Sequence, residues 1–80
     1  MDEEPTRKRE VYWLSANLPD KCQLSGKAIR TEFVDGRVPG ISSWAIMEPG
    51  YFRQIGGTLG TGRGQRYRKQ SDGRWLKVEG

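Results

Sequence analysis

A single cysteine and no histidine set the terms on which this chain can fold. One thiol cannot form an internal disulfide, and a closed structural zinc site wants a tetrahedral set of thiolate or imidazole ligands. Eighty residues lie near the lower end of what folds without such a staple. The core must therefore come from packing, and only 34% of the residues are apolar. Rings supply much of it. Three Trp, three Tyr and two Phe are present, and each ring can bury roughly 150–250 Å² at about 25 cal/mol per Å². Eleven Gly and four Pro raise the ordering cost and imply many turns. One small domain is the expectation.

The chain divides into an N-terminal arm over 1–16 and a single domain over 17–80. Residues 1–10 are of mixed charge and read as loosely attached. Val11-Tyr12-Trp13-Leu14 is an apolar cluster, either a short strand or one helical turn, and reads as a clip onto the core. Ile29 to Val34 has strand character, with Ile29, Thr31 and Phe33 on one face. Asp35-Gly36 gives a turn signal, Val38-Pro39-Gly40 continues the loop, and Ser43 to Met47 returns with Trp44 and Ile46 on one face. Pro49 suits the first turn of a helix over 51–55 that Gly56-Gly57 closes. A glycine-rich loop fills 56–64. A second hairpin follows, Gln65 to Gln70 and Arg74 to Val78 around Ser71-Asp72-Gly73.

Cys22-Gln23-Leu24-Ser25-Gly26-Lys27 has the form of a C-x-x-C-G-K zinc knuckle with Ser in place of the second Cys. Glu48-Pro49-Gly50-Tyr51 repeats the x-x gap where a second ligand pair would open a helix. With these come Phe33-Val34-Asp35-Gly36, Trp44-Ala45, Met47, and Leu59-Gly60-Thr61-Gly62-Arg63-Gly64-Gln65-Arg66-Tyr67. Over residues 20–70 this pattern resembles a group of short phage and prophage zinc-ribbon-like proteins without an established activity. The resemblance implies a treble-clef order: knuckle, hairpin, then a helix N-terminus. It also implies four ligand positions, held here by Cys22, Ser25, Glu48 and Tyr51. One thiol and one carboxylate make a poor zinc site, so these positions are read as vestigial and no metal or other cofactor is expected. The expected fold class is α+β, mostly β: a degenerate zinc-ribbon or treble-clef-like core with two β-hairpins and one short helix.

Residues 53–80 carry seven bases against two acids and account for the basic pI of 9.6. A two-residue turn at Asp72-Gly73 would set Lys69 opposite Leu76 and Arg68 opposite Lys77. Tyr67, Lys69, Leu76 and Val78 would then pack inward, leaving Arg66, Arg68, Gln70, Trp75 and Lys77 outward. A register shift of one residue exchanges these faces. A basic face with an exposed ring suits phosphates and stacked bases, and equally an acidic protein. The candidate contacts are Arg63, Arg66, Arg68, Lys69, Arg74 and Lys77, with Trp75 or Tyr67 stacking. The glycine loop matches no nucleotide-binding signature, and reads either as an anion-receiving nest beside Arg63 and Arg66 or as a linker around the core.

No nucleophile–base pair or positioned carboxylate pair is visible, so an enzyme is not expected. Two functions of different class remain: a phage or prophage accessory protein that binds nucleic acid, or one that binds and modulates an acidic host protein. The polar start, Met1 to Pro5, is unlike a signal peptide, and no apolar run approaches the roughly 18–20 residues of a membrane span. No small-molecule substrate and no membrane are expected. The bacterial host cytoplasm is the expected location.

Overall fold

The computed structural model describes residues 10–14 and 18–80; of the arm expected over 1–16, residues 1–9 and 15–16 lie outside them. Four strands and one helix follow in the order β1 (Glu32–Arg37), β2 (Trp44–Met47), α1 (Pro49–Gln54), β3 (Gly64–Lys69) and β4 (Trp75–Glu79). The strands form one antiparallel sheet in the order β2-β1-β3-β4, so two hairpins join along β1 and β3. The architecture is mostly β, with one short helix.

Both faces of the sheet are covered, which explains why β1 buries consecutive residues rather than alternate ones. Val34 faces α1 and packs with Cys22, Ala45, Met47 and Phe52. Its neighbour Phe33 points the other way, into a cluster with Ile46 and Tyr67 that Trp13, Leu18, Ile29 and Trp75 cover. Phe33 and Tyr67 stack at 4.9 Å, and Trp13 sets its edge against both, at 5.2 and 5.5 Å. Such pairs add about 0.5–1.5 kcal/mol each beyond area burial.

Both sheet edges are occupied. Beyond β4, Trp13 N–H donates to the Trp75 carbonyl (2.9 Å) and Lys77 N–H to the Val11 carbonyl (2.7 Å), so Tyr12 forms a single antiparallel bridge to Leu76. Beyond β2, Gln23 N–H donates to the Ile46 carbonyl, and Ile46 N–H to the Gln23 side chain (2.7 Å). Open edges invite pairing with other chains, and these two are blunted by residues 11–13 and by Gln23.

Helix α1 begins where the Glu48 carboxylate accepts from Tyr51 N–H (2.9 Å), with Pro49 in the first turn. Phe52 is the one buried residue of its six. Its ring lies where three backbones converge, because a Cβ on Gly57, Gly36 or Gly64 would meet it at 2.2, 2.6 or 3.1 Å. This corrects one expectation: Asp35-Gly36 is not a turn but lies within β1, and Gly36 is there to admit Phe52. The chain turns later, through 38–43.

The second hairpin also departs from the expected register. Lys69 pairs with Trp75, Arg68 with Leu76 and Tyr67 with Lys77, a slip of one residue. A two-residue turn would need positive φ at both Asp72 and Gly73, but only Gly73 adopts it (φ 90°). The turn instead takes three residues, closed by Gln70 N–H to the Arg74 carbonyl (2.7 Å). The faces exchange accordingly. Trp75 joins Tyr67, Lys69 and Lys77, while Leu76 joins Arg66 and Arg68 on the helix side.

Candidate functional site

The four positions read as vestigial ligands come together. Residues 21–28 form a tight loop closed by Cys22 N–H to the Lys27 carbonyl (2.7 Å). Cys22 is buried, and its Sγ accepts from Ser25 N–H at 3.4 Å; Ser25 Oγ in turn accepts from Lys27 N–H at 3.3 Å. Burial pushes the thiol pKa up, but the Ser25 hydroxyl and the N–H groups of Ser25, Glu48 and Leu24 outweigh it and hold the pKa below its ordinary value. The Glu48 carboxylate caps α1 at Tyr51 N–H, and Tyr51 packs beside the Cys22 cluster. The Cys22 thiol, the Ser25 hydroxyl and the Glu48 carboxylate each accept a backbone N–H. Among the described residues no three His, Cys, Asp or Glu side chains group as metal ligands.

The expected basic contacts separate into two sets. Arg66 donates to both Glu32 oxygens (3.0 and 3.1 Å) and to Glu79 (2.9 Å), while Arg68 donates to Glu32 at 2.9 Å. Burial raises the Glu32 pKa, and hydrogen bonds from Arg68 and Arg66 more than reverse this, leaving it below the usual carboxylate range. Arg74 is held by Asp72 (2.8 Å) and lies over the Tyr12 ring at 4.2 Å. These three arginines already have acceptors. Arg63, Lys69 and Lys77 have no carboxylate in ion-pairing range among the described residues.

Neither ring proposed for stacking is presented as the sequence implied. Tyr67 is buried, and Trp75 sets its edge on Phe33 at 5.1 Å with the Lys69 ammonium 5.9 Å from its centroid. The glycine loop is the wrap rather than the nest: Gly57 and Gly64 lie on Phe52, and Gly60 and Gly64 bond reciprocally at 2.8 and 3.0 Å. Arg66 is drawn to the sheet by Glu32, on the adjacent strand β1, and does not share an anion site with Arg63.

Sequence reasoning missed several features. A groove of about 1100 Å³ runs between α1 and the sheet, floored by Val34 and Phe52 and edged by Lys27, Arg30 and Arg53. Lys27, Arg30 and Arg37, the last beside Arg63, lie outside the basic third, Arg53 stands at its first position, and no nucleic-acid motif marks any of them. Glu32 was read only as a strand residue, because its arginine partners lie 34 and 36 positions away. No helix among the described residues is long and apolar enough to cross a membrane. Comparison with models of protein families, with curated proteins and with solved structures returns no match to the chain.

Proposed function

We propose that the protein is a non-catalytic phage or prophage accessory protein that binds nucleic acid, built on a treble-clef-like frame without metal. The observation that carries the reading is the surplus of cations that meet no carboxylate among the described residues: Arg53, Arg63, Lys69 and Lys77 of the basic third, joined by Lys27, Arg30 and Arg37. Exposed guanidinium and ammonium groups gain most from a polyanion, because binding releases condensed counterions. Arg66, Arg68 and Arg74 serve the fold first, and reach phosphate only by leaving Glu32, Glu79 or Asp72. The knuckle-hairpin-helix order and the convergence of Cys22, Ser25, Glu48 and Tyr51 support the treble-clef-like reading. The resemblance to phage proteins supports the context.

The test is a salt titration of binding to mixed-sequence DNA and RNA. Beside it runs a pull-down from bacterial lysate with and without nuclease. Steeply salt-dependent affinity, and a pull-down emptied by nuclease, are expected. A stoichiometric protein retained after nuclease, with no oligonucleotide affinity, would replace this reading with host-protein binding.

A further inference from the structure

Of the three tryptophans, Trp13 and Trp75 set their edges on Phe33. Trp44 does not. It is 44% exposed, and among the described residues no aromatic ring or cation lies against it. An indole left nearly half in water keeps part of its ring face open to a ligand.

Its place in β2 says what would cover it. Trp44 lies directly across from Arg37 in the β1–β2 register, so ring and guanidinium rise from one face of the sheet, opposite α1. Arg37 N–H donates to the Arg63 carbonyl at 2.9 Å, which sets the two backbones side by side at this end, with the Arg63 guanidinium lying over Gly60. Both arginines are exposed, and neither meets a carboxylate among the described residues. The acid two places back, Asp35, is half-buried, and burial raises its pKa. A half-exposed indole on the same face as two guanidiniums that meet no carboxylate among the described residues matches a ligand with both a flat face and anionic charge.

Resting on the nucleic-acid reading above, we infer that this end of the sheet is a single-strand site, where an unpaired base stacks on Trp44 and flanking phosphates meet Arg37 and Arg63. A duplex keeps its bases stacked inside and offers the ring nothing, whereas every unpaired base has a face to give. The stacking role expected of Trp75 passes to Trp44, because the slipped register packs Trp75 against Phe33.

The experiment measures anisotropy of a labelled single-stranded oligothymidylate and of a duplex of equal length, with the intact chain. Trp44→Ala should weaken single-strand binding by roughly tenfold or more and remove the preference over duplex. Trp44→Phe should keep most of both. The double variant R37Q/R63Q should flatten the log–log salt slope by about 1.4, as two single-strand phosphate contacts are lost. K69Q/K77Q should flatten the slope while leaving the single-strand preference. Circular dichroism checks folding, and if Trp44→Ala unfolds, the Phe and arginine variants decide. Salt-dependent binding that W44A and R37Q/R63Q leave intact would overturn this site while sparing the nucleic-acid reading. No oligonucleotide binding by the unaltered protein would overturn both.

Discussion

Adding one methyl group at Gly57 should test how the helix is locked to the sheet. Its Cβ would meet three Phe52 ring atoms at 2.2, 2.4 and 2.5 Å, and the ring is buried beneath Gly36 and Gly64 as well. Gly57 does not sit at positive φ, so the penalty of Gly57→Ala is steric rather than conformational. Overpacking a core typically costs about 1–3 kcal/mol, and three blocked atoms against an enclosed ring put this case near 3. A domain of this size has a total stability of about 4–12 kcal/mol. The loss is therefore a large fraction, and corresponds to a fall in Tm of roughly 12–24 °C. Urea unfolding followed by far-ultraviolet circular dichroism measures it. In a Phe52→Leu background the same methyl should cost less than about 1 kcal/mol, a coupling that a double-mutant cycle reads directly. Gly56→Ala is the contrast, since Gly56 has open space around its Cα but a φ of 88°. Its cost of about 1 kcal/mol should not respond to Phe52. A Gly57→Ala protein as stable as the parent, or one equally damaged with Leu at 52, would refute the packing argument.

Two further outcomes follow from the charges and from the N-terminal clip. Glu32→Gln should lose about 1 kcal/mol at pH 7, the upper range for a partly exposed ion pair. Because the folded pKa of Glu32 is depressed, its contribution is present above the ordinary Glu value of about 4.3 and fades as pH falls through the folded value. The gap between variant and parent in urea titrations should thus hold from pH 7 to about 5.5 and close in acid; a constant gap down to pH 2 would contradict it. Trp13→Ala should cost about 2–3 kcal/mol, below the range for a fully buried ring. Trp13→Phe should cost under about 1, because the buried Nε1–H has no acceptor to lose. Phe as costly as Ala in thermal melts would argue against the aromatic clip, and so would a fully folded protein lacking residues 1–16.

What was legible in the sequence was what neighbouring residues decide. Pro49 and Gly56-Gly57 marked the two ends of α1, while Glu48, read as a ligand position, is its N-cap. Alternation placed Trp44 and Ile46 on one face. Features set by distant contacts were not legible. Gly36 looks like a turn until Phe52 is known to lie over it, 16 positions later. Glu32 looks like any strand residue until β3 is known to pair with β1, which sets it opposite Arg68. The hairpin slip lies between these cases. Asp72-Gly73 and Ser71-Asp72-Gly73 are both good turns, and a difference of one residue decides whether Trp75 faces water or Phe33. Trp44 was assigned to its face correctly, but nothing local shows that its face is left uncovered at that end.

Beneath both functional proposals lies the claim that Cys22, Ser25, Glu48 and Tyr51 hold the knuckle to the helix by hydrogen bonds and packing, with no metal. Native mass spectrometry of protein purified without chelator, paired with thermal melts before and after EDTA, addresses it most directly. The account predicts the bare polypeptide mass and a Tm unmoved by EDTA. One zinc per chain, with a Tm that collapses on chelation, would contradict it.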